Sequence, residues 1–543
     1  MGAPSSVDVA ARNPVHCGGC PPHVAWSTIN AGEALPGVVT PLTWSLYGDG
    51  VERAMRGAFC DLGVLRQSEV TASPRPEDRL WDLFYGRSAA NLNTFRSLAD
   101  RMPGTNGDAI EEQIFGQVRP GVTNEPTYRR YPAFAAKAPV AAARVAARLR
   151  AATADIDPWW RHSVGGEQRL GRAGAQALAA EAARRFEDVM RPHTLAALLC
   201  QALYEQVRVL AERAGKPGLE LSLVTGYGDM AETEVVADLW DVSRDRLELD
   251  EFVVRHGYHG PAEGELSATT WRMRRDPLEP LISAYRAMGE ERSPRRVEAE
   301  RGQERARAEA ELLGALPRLR RAPARLVLSL AARLIPLRGT GKAAFLQCVD
   351  TMRVAARAYG TELAEDGTFE RPEDVFMLTL PELLAPVPRA DLPELVQQRR
   401  AIEADYRTTD VPDLWEGMPE RIALTEADTG GAAGTIVTGA AVSPGVITGT
   451  ARVILDAQED DPLEPGEILV CRTTDPSWAS TLMVASALVI DIGGPISHGA
   501  IVARELGIPC VIGTRTGTSA IGNGDTLRVD GGKGEVTIVE RAG

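Results

Sequence analysis

The sequence predicts a multidomain protein with a mostly α-helical body followed by a smaller C-terminal α/β domain. In residues 133–213, apolar side chains recur at steps of three and four residues, which is the spacing of amphipathic helices, and a second helical block covers about residues 278–365. From about residue 436 the pattern changes to short β-type runs separated by glycine turns. With 543 residues, the chain has room for about two to four domains.

Four segments follow from these patterns. Residues 1–25 are rich in Pro, Gly and Ser and predict a disordered leader. Residues 26–424 form the predicted helical body, in which Gly215 has the position of a helix C-cap. The small polar residues 425–435 predict a flexible linker, and residues 436–543 form the C-terminal domain.

Charge and apolar content limit the classes of partner. Lysine and arginine total 60 against 74 aspartates and glutamates, so the formal net charge is -14. No basic block outweighs this charge, which argues against nucleic acid and anionic membranes as main partners. The most apolar helical stretch, near residues 325–337, contains arginine and is too short for a membrane span. Seven cysteines in so long a chain, and a start without a signal-peptide pattern, predict a cytoplasmic protein.

The N-terminal stretch HCGGCPPH contains two cysteines between two histidines. Thiolates and imidazoles suit the tetrahedral preference of zinc, so His16, Cys17, Cys20 and His23 are candidate ligands. All four lie within eight residues, however, which leaves little chain to wrap around an ion. We therefore expect a flexible extension, with a metal site as the alternative that the sequence leaves open.

The stretch DIGGPISHGAIVARELGIPCVIG predicts a strand, a sharp turn, a helix and a second strand. Gly493 and Gly494 permit the turn, Ser497 has the position of the N-cap, and Gly507 ends the helix. His498 then lies at or next to the first helical residue, where unpaired N–H groups and the helix dipole favour a dianionic group. The same positive helix end disfavours protonation of the imidazole, which keeps one nitrogen available as a nucleophile. This spacing suits a phosphoryl carrier, and equally a histidine that only hydrogen-bonds at the helix start.

This segment closely resembles the swivelling phosphohistidine domain of phosphoenolpyruvate synthase, pyruvate phosphate dikinase and rifampicin phosphotransferase. The shared motif is a glycine pair, a short spacer, a Ser-His pair and the helix AIVARELGIP. The stretches TTDPSW, SPGVITGTARVI and GDTLRVDGGKGEVTI are also similar to that domain. The resemblance implies a β/β/α domain that swings between a loading site and an unloading site, with His498 as the phosphoryl carrier. It implies supporting catalytic roles for Gly493, Gly494, Ser497 and Arg504.

The helical body resembles the central, acceptor-binding domain of rifampicin-phosphotransferase-type proteins. The matching stretches are NAGEALPGVVTPLTWS, YGRSAANLN, GYHGPAEGELSATTWRMRRDP and RPEDVFMLTLPEL. By this resemblance, a His or Glu in HGYHGPAEGEL removes the proton of an acceptor hydroxyl, and the candidates are His256, His259, Glu263 and Glu265. The alternative, which residue types alone favour, is that the glutamates pair with arginines of WRMRRDP and hold a loop in place.

Four more residues of the body are candidates for substrate binding. Asn30, Glu33 and Trp44 line or brace the acceptor pocket by this resemblance, although their glycine and proline neighbours are equally compatible with a structural role. Arg353 lies within a predicted helix and is a candidate phosphate clamp. For Arg353 a surface salt bridge is the favoured alternative.

The donor of the phosphoryl group has to come from outside this sequence. Relatives contain an ATP-grasp nucleotide-binding module, and some contain a barrel for phosphoenolpyruvate, but no stretch here resembles either. RGTGKA at residues 338–343 lacks the first glycine and the Ser/Thr of a Walker loop. We therefore expect a carrier and acceptor subunit of a split phosphotransferase, of the phenylphosphate synthase type, that binds no cofactor itself. A separate ATP-grasp protein brings ATP and Mg²⁺, and the acceptor is a small alcohol or phenol.

The alternative function is that of a non-catalytic relative that binds a ligand or a partner. The intact Gly-Gly-x-x-Ser-His motif argues against this function, because a binding module has no need of that combination.

Overall fold

The computed structural model describes residues 13–116, 118–165, 170–228, 231–388, 390–423, 432–455, 463–474, 478–494 and 497–542. Helices dominate the first four hundred or so residues, and strands dominate after residue 435. The predicted class, a mostly helical body with a C-terminal α/β domain, is therefore confirmed. In the described ranges, no helix combines the length and the apolar character that a membrane crossing requires.

The helices follow one another with short connections. The first group is α1 (Ala31–Ala34), α2 (Pro41–Asp61), α3 (Leu92–Ala99), α4 (Gly107–Phe115), α5 (Tyr131–Thr153), α6 (Ile156–Gly165) and α7 (Arg172–Arg213). The second group is α8 (Leu219–Leu223), α9 (Ala231–Ser243), α10 (Leu249–His256), α11 (Leu278–Ala287), α12 (Pro294–Ala315), α13 (Arg318–Leu334), α14 (Leu337–Glu365), α15 (Leu380–Leu383) and α16 (Leu392–Arg407). Helix α7 ends as predicted, because Gly215 has a φ of 69° and the N–H of Lys216 bonds back to the carbonyl of Ala211 at 2.9 Å.

The chain forms two compact units that differ from the predicted division into body and C-terminal domain. Unit 1 consists of Met1–Leu195, Ala262–Ala268 and Gly341–Thr425, and unit 2 of Ala196–Pro261, Thr269–Thr340 and Glu426–Gly543. The predicted body, residues 26–424, therefore contributes to both units. Two of the boundaries fall inside the continuous helices α7 and α14.

Unit 1 is built around long helices and one small sheet. Apolar side chains of α2, α7 and α14, among them Leu42, Phe186 and Met352, belong to one buried cluster. Beside these helices, strands β1 (Ala25–Ser27), β2 (Trp81–Phe84), β3 (Arg87–Asn91) and β5 (Leu414–Glu416) form an antiparallel sheet in the order β2-β3-β1-β5. The two-residue strands β4 (Thr409–Asp410) and β6 (Ile422–Ala423) pair with each other.

The structure corrects the prediction of a disordered leader for the described residues 13–25. The N–H of Cys17 donates to the carbonyl of Leu83 at 2.9 Å, and the N–H of Gly86 donates to the carbonyl of Val15, also at 2.9 Å. Val15 and Val24 are buried. These residues are ordered because backbone bonds to the β2–β3 hairpin and apolar burial replace the contacts with water that a free leader would have. Residues 1–12 lie outside the described residues.

Unit 2 contains an eight-stranded mixed sheet in the order β7-β14-β13-β9-β10-β11-β12-β8. Neighbouring strands from β9 to β12 are parallel, and the flanking pairs are antiparallel. The strands are β7 (Ile436–Thr438), β8 (Ala440–Ser443), β9 (Val446–Ile454), β10 (Ile468–Cys471), β11 (Ala487–Ile490), β12 (Cys510–Ile512), β13 (Thr526–Asp530) and β14 (Glu535–Glu540). In the described residues between these strands there are three helices: α17 (Ala479–Leu482), α18 (His498–Leu506) and α19 (Gly517–Ala520).

The predicted linker, residues 425–435, is only partly visible. Residues 424–431 lie outside the described residues. In the remainder, the N–H of Gly434 donates to the carbonyl of Ile538 at 2.8 Å, and the N–H of Ile538 donates to the carbonyl of Thr435 at 3.0 Å. Residues 434–435 are therefore joined to the edge of the sheet next to β14.

The central strands of the sheet bury both of their faces in different clusters. Val470 and Val489 belong to a cluster with side chains of β13 and β14, whereas their neighbours Leu469 and Leu488 belong to a cluster with side chains of α17 and α18. This alternation follows from the two-residue period of a strand. The second cluster also includes apolar side chains of α9, α10 and α11, so helices from the middle of the chain cover that face.

Polar contacts fix these helices to the C-terminal domain. The hydroxyl of Tyr285, on α11, donates to the carbonyl of Ser480 at 2.8 Å. The guanidinium of Arg292 donates to the carbonyls of Met483 and Ala485, at 2.8 and 3.1 Å, just beyond the C-terminus of α17. Cations favour that end of a helix, and the two bonds satisfy carbonyls that the short helix leaves unpaired.

Gly226, which lies between α8 and α9, connects this part of the chain to α18. Its N–H donates to the carboxyl group of Glu505, on α18, at 3.0 Å, and its carbonyl accepts a bond from the guanidinium of Arg305. Gly226 has a φ of 64°, and a Cβ atom there would lie 2.5 Å from the backbone of Arg301. Both the backbone angle and the space therefore require glycine at this position.

We predict that Gly226→Ala destabilises unit 2 much more than Gly215→Ala. Both glycines have a positive φ, so each substitution costs about 1 kcal/mol of backbone strain. Only Gly226 also meets backbone atoms, which adds about 2 kcal/mol or more, whereas a Cβ at Gly215 meets open space. Thermal unfolding of the two variants measures the difference. Equal losses in Tm would show that the turn at Gly226 rearranges to accommodate a Cβ atom and that its close packing does not contribute to stability.

Candidate functional site

The candidate site lies where β11 passes into α18. The strand ends at Ile490, and Ser497 is the N-cap residue of a helix whose first residue is His498. The helix ends at Leu506, and Gly507 has a φ of 70° in the C-cap position. Strand, N-cap, helix and C-cap are therefore confirmed. The side chain of His498 lies outside the described part of the structure, so its position is given by its backbone alone.

Gly493 makes the turn after β11 possible. Gly493 has a φ of 143°, and a Cβ there would lie 2.5 Å from the side chain of Ile512 and 3.0 Å from the hydroxyl of Ser497. The carbonyl of Gly494 accepts a bond from the N–H of Ser497 at 3.0 Å. The turn thus places Ser497 and His498 close to the strand end, at the carboxyl edge of the parallel strands.

Two hydroxyl groups in the segments that follow β10 and β11 are buried without a hydrogen-bond partner among the described residues. They are Oγ of Ser497 and Oγ1 of Thr473, which follows β10. Buried hydroxyls are normally paired, so these two are suited to a polar ligand. Ser497 is the N-cap residue of α18, so its hydroxyl and the N–H groups at the start of that helix favour the oxygens of a phosphoryl group.

Asp491 anchors the turn from its other side. Its carboxylate accepts bonds from the hydroxyl of Thr514 and the N–H of Gly517, both at 2.6 Å, and from the N–H of Thr518 at 3.0 Å. These donors lie at the start of α19, so one carboxylate connects the end of β11 to the next helix. Asp491 is not among the candidates that the sequence motifs indicate, although an acidic residue directly after a buried strand is a recognisable signal.

Arg504 is not brought to the start of α18. It lies six residues after His498, about 9 Å along the helix axis, and its side chain is buried. Burial lowers the pKa of the guanidinium, while Tyr204 and Glu505 nearby favour its charged form. Arg504 therefore lies near the C-terminus of α18, where its buried side chain helps to fix that end of the helix. Its catalytic role stays a prediction from resemblance.

Glu505 is a buried carboxyl group in the same turn. Burial raises its pKa to about 7, and the hydrogen bond from Gly226 and the charge of Arg504 oppose this shift only in part. The carboxyl group of Glu505 therefore loses its proton at a higher pH than the carboxyl group of an exposed glutamate does.

The candidates in HGYHGPAEGEL divide between the two units. His256 and His259 belong to unit 2, and Glu263 and Glu265 to unit 1. In unit 2, Nε2 of His256 lies 2.9 Å from the carboxylate of Asp238. Burial alone would raise the pKa of Asp238, but the hydrogen bonds and charges of His256 and Arg255 lower it below its usual value. His259 packs between the rings of Tyr258 and Trp271, with centroid distances of 4.2 and 5.8 Å.

Glu265 is occupied by bonds within unit 1. Its carboxylate accepts bonds from the N–H and hydroxyl of Thr40, the hydroxyl of Thr43, and the N–H and hydroxyl of Ser267, at 2.8 to 3.1 Å. The sequence analysis expected arginines of WRMRRDP as partners of this glutamate, whereas the observed donors come from the start of α2 and from Ser267. Glu265 therefore has the structural role that the alternative predicts, but its partners are Thr40, Thr43 and Ser267 instead of arginines.

Glu263 is paired with a lysine that the sequence analysis passed over. Its carboxylate lies 3.3 Å from Nζ of Lys342, and both side chains are nearly buried. Lys342 belongs to RGTGKA, which was considered only as an incomplete Walker loop. Helix α14 contains all six residues of this stretch, so they do not form a loop. The helical periodicity of the sequence around Lys342 is the signal that indicates a helix and not a loop at this position.

The structure corrects the expectation of a surface salt bridge for Arg353. The side chain is fully buried on α14. It donates to the carbonyls of Glu263, Glu265 and Leu266, and to the carboxylate of Asp350 at 3.0 Å. Its guanidinium therefore holds the segment 263–266 in place, and a role as phosphate clamp has no support in these contacts.

The remaining substrate-binding candidates lie on α1 and α2. Asn30 precedes α1 with a φ of 65°, and its side-chain amide donates to the carbonyl of Ile114. Glu33 lies within α1, and its side chain is outside the described part of the structure. Trp44 packs edge-on against Trp81, with ring centroids 4.9 Å apart. Asn30 and Trp44 therefore have structural contacts, and pocket lining stays a prediction.

The cysteines and histidines of HCGGCPPH have partners of other kinds. Nδ1 of His16 accepts a bond from the N–H of Tyr85 at 3.1 Å, and burial lowers the pKa of His16 to about 4. The sulfur of Cys20 accepts a bond from the indole N–H of Trp26 at 3.1 Å. Among the residues that the structure describes, no three His, Cys, Asp or Glu side chains converge as a metal site would require.

Two segments match known domain families. Residues 463–534 match the PEP-utilising enzyme mobile domain, and residues 244–339 match the fourth domain of rifampicin phosphotransferase. The resemblance that the sequence predicts is therefore confirmed for the segment around His498, and for helices α10 to α13 of the body. The first match includes the whole turn and helix of the candidate site.

Curated relatives resemble about a third of the chain. An uncharacterized phosphotransferase of Bacillus subtilis is 37% identical over 204 residues, which cover 35% of this chain and 24% of that protein. A rifampicin phosphotransferase of Streptomyces sviceus is 36% identical over 186 residues, covering 34% of this chain and 21% of the relative. A phosphoenolpyruvate synthase of Aeropyrum pernix is 37% identical over 182 residues, covering 33% and 19%. The aligned part is thus a quarter or less of each relative.

We predict that Glu265→Gln destabilises unit 1 by about 3 kcal/mol, because an amide cannot accept all five bonds and leaves buried donors unpaired. Glu373→Gln is the matched control. Glu373 pairs with Arg357 near the surface, so its substitution costs less than about 1 kcal/mol. Thermal unfolding measures both. An unchanged Tm for Glu265→Gln would contradict the holding role and return Glu265 to the list of possible bases.

We also predict a pH dependence that comes from Glu505. Because its folded-state pKa is raised from 4.5 to about 7, the folded state keeps a proton that the unfolded state has lost, and stability falls as pH rises through this window. Glu505→Gln removes this pH-dependent contribution to the free energy of unfolding while keeping an acceptor for the N–H of Gly226. The Tm of the variant therefore rises relative to wild type between about pH 5 and pH 8. A constant difference across that range would disprove the shifted pKa.

Proposed function

We propose that this chain is a phosphotransferase subunit in which His498 carries the phosphoryl group. The observation that supports it most directly is the position of His498 as first residue of α18, inside the segment that matches the PEP-utilising mobile domain. Relatives that align with about a third of the chain are named as rifampicin phosphotransferase and phosphoenolpyruvate synthase. The start of α18 and the unpaired hydroxyls of Ser497 and Thr473 suit a dianionic group.

The proposed reaction has two steps. In the first, an imidazole nitrogen of His498 attacks the terminal phosphorus of the donor nucleotide, the bond to the bridging oxygen breaks, and the nucleotide leaves with that electron pair. In the second, the oxygen of an acceptor hydroxyl attacks the phosphorus and the N–P bond breaks. A base takes the proton of the hydroxyl, and the imidazole is restored.

The proposed donor is a separate ATP-grasp protein that binds ATP and Mg²⁺. One structural observation favours an outside donor: RGTGKA, which partly resembles a Walker loop, lies within α14 and offers no loop to phosphates. Magnesium neutralises nucleotide phosphate charge during such transfers, and in this proposal it belongs to the site of the partner.

The proposed acceptor is a small alcohol or phenol that contacts unit 1. The pair of Glu263 and Lys342 places one carboxylate and one ammonium in a nearly buried position. The hydroxyl of Tyr47 is buried near this pair and has no hydrogen bond within the described residues. Burial raises the pKa of this phenol, so it stays protonated and can donate to an incoming oxygen. Of the two candidate glutamates, Glu263 is the better candidate for the base that takes the proton of the acceptor hydroxyl, since Glu265 is occupied by structural bonds. Arg353 is likewise occupied by structural bonds.

We predict that the purified chain gains acid-labile, base-stable phosphate when it is mixed with ATP, Mg²⁺ and the ATP-grasp protein encoded nearest to it. His498→Ala abolishes the label because the nucleophile is lost. His23→Ala, which removes an exposed histidine far from α18 in sequence, keeps it. Radiolabel or intact-mass measurements after acid and base treatment give the result. Labelling that persists in His498→Ala would move the carrier elsewhere, and no labelling with any ATP-grasp partner would favour the binding-module alternative.

A further inference from the structure

Helix α13 presents a cationic, partly apolar ridge to the outside of unit 2. Its sequence, RLRRAPARLVLSLAARL, contains five arginines and no acidic residue, in a chain whose net charge is -14. The inner side of the helix, with Ala324, Leu328 and Leu334, is buried. Leu319 and Leu326 are 94% and 62% exposed, although they belong to the type of residue that usually lies inside.

The exposed leucines and arginines repeat along one face. The pairs Arg318–Leu319 and Arg325–Leu326 lie seven residues apart, so they share a side of the helix about 10 Å from each other. In the described part of the chain, no acidic residue pairs with Arg318, Arg320, Arg325 or Arg333. The ridge, defined as Arg318, Arg325 and Arg333 with Leu319 and Leu326, therefore has both apolar surface and uncompensated charge.

Unit 2 also contains a groove with the opposite character. It has a volume of about 400 Å³ and lies between the end of α9, the start of α10 and α11. Apolar side chains and carboxylates both line it, among them Val242, Leu247, Leu249, Ile282, Glu248 and Glu279. The carboxylate of Asp245 in the same groove is already paired with Arg286, whereas Glu248 and Glu279 have no ion pair with the described residues.

We propose that the ridge of one copy of this chain docks into the groove of a second copy. Leu319 and Leu326 would bury apolar surface against the groove walls, and Arg318 and Arg325 would pair with Glu248 and Glu279. A second copy fits better than a polyanion, because the acidic remainder of the chain opposes both nucleic acid and anionic membranes. The second copy, in contrast, supplies acidic and apolar surface together.

The contact is heterologous, because ridge and groove are different surfaces. In a dimer each copy keeps one unused ridge or groove, so further copies can add at the two ends until the assembly closes into a ring. One helix ridge in one groove forms a small interface, so we expect a dissociation constant of about 10 µM and weakening by salt. The proposal does not depend on phosphoryl transfer, and its test does not use that activity.

Analytical ultracentrifugation of the full chain over a concentration series tests the contact. Wild type associates with rising concentration, and added salt weakens the association. The ridge variant Leu319→Glu/Leu326→Glu and the groove variant Glu248→Lys/Glu279→Lys both dissociate at least about tenfold more readily. Val387→Glu, which changes an exposed apolar residue of unit 1, associates as wild type does. Thermal unfolding confirms that all variants are folded, since every substituted side chain is exposed.

Mixing the two variants distinguishes this contact from any other. The ridge variant keeps its groove, and the groove variant keeps its ridge, so an equal mixture restores one contact and forms pairs. A wild type that stays monomeric at about 100 µM would overturn the proposal. So would variants that leave the association unchanged, or a mixture that does not restore it. Loss of binding to anionic vesicles by the ridge variant, with a monomeric wild type, would assign the ridge to a membrane surface instead.

Discussion

The eight-stranded sheet of unit 2 has to bury both of its faces, and most features of the candidate site depend on this constraint. Parallel strands such as β9 to β12 are stable only when both faces are covered. Strands β13 and β14 contribute to the cluster on one face, and α17 and α18 cover the other together with α9, α10 and α11. The helix that begins at His498 is therefore held in place by helices from the middle of the chain. The bonds made by Tyr285, Arg292 and Gly226 fix the same arrangement.

Local structure was predictable because it depends on neighbours in the sequence. The passage from β11 through Gly493 to α18, and the helix ends at Gly215 and Gly507, are decided by residues within a few positions. The division into two units was not predictable in this way. The partners that order the leader, such as Leu83 for Cys17, lie far along the chain, and composition alone gives no sign of them.

The roles of charged residues were the least predictable part of the site. Glu265, Arg353 and Asp491 have the residue types of catalytic or phosphate-binding groups, yet each has a nearly complete set of internal partners. Residue type reports what a side chain is able to do, whereas its partners decide what it does. The hydroxyls of Ser497 and Thr473 are the opposite case, because the fold buries them and leaves their bonding capacity unused.

The interleaving of the two units along the chain also constrains how the protein is made. Unit 1 is complete only when residues 341–425 have left the ribosome, and unit 2 only when the last strands have followed. Until then α9 and α11 exist without the sheet that covers Trp240, Leu239 and Ile282. A newly made chain therefore passes through a stage in which a large apolar surface is bare. We expect this stage to make the protein dependent on chaperones and sensitive to truncation near its C-terminus.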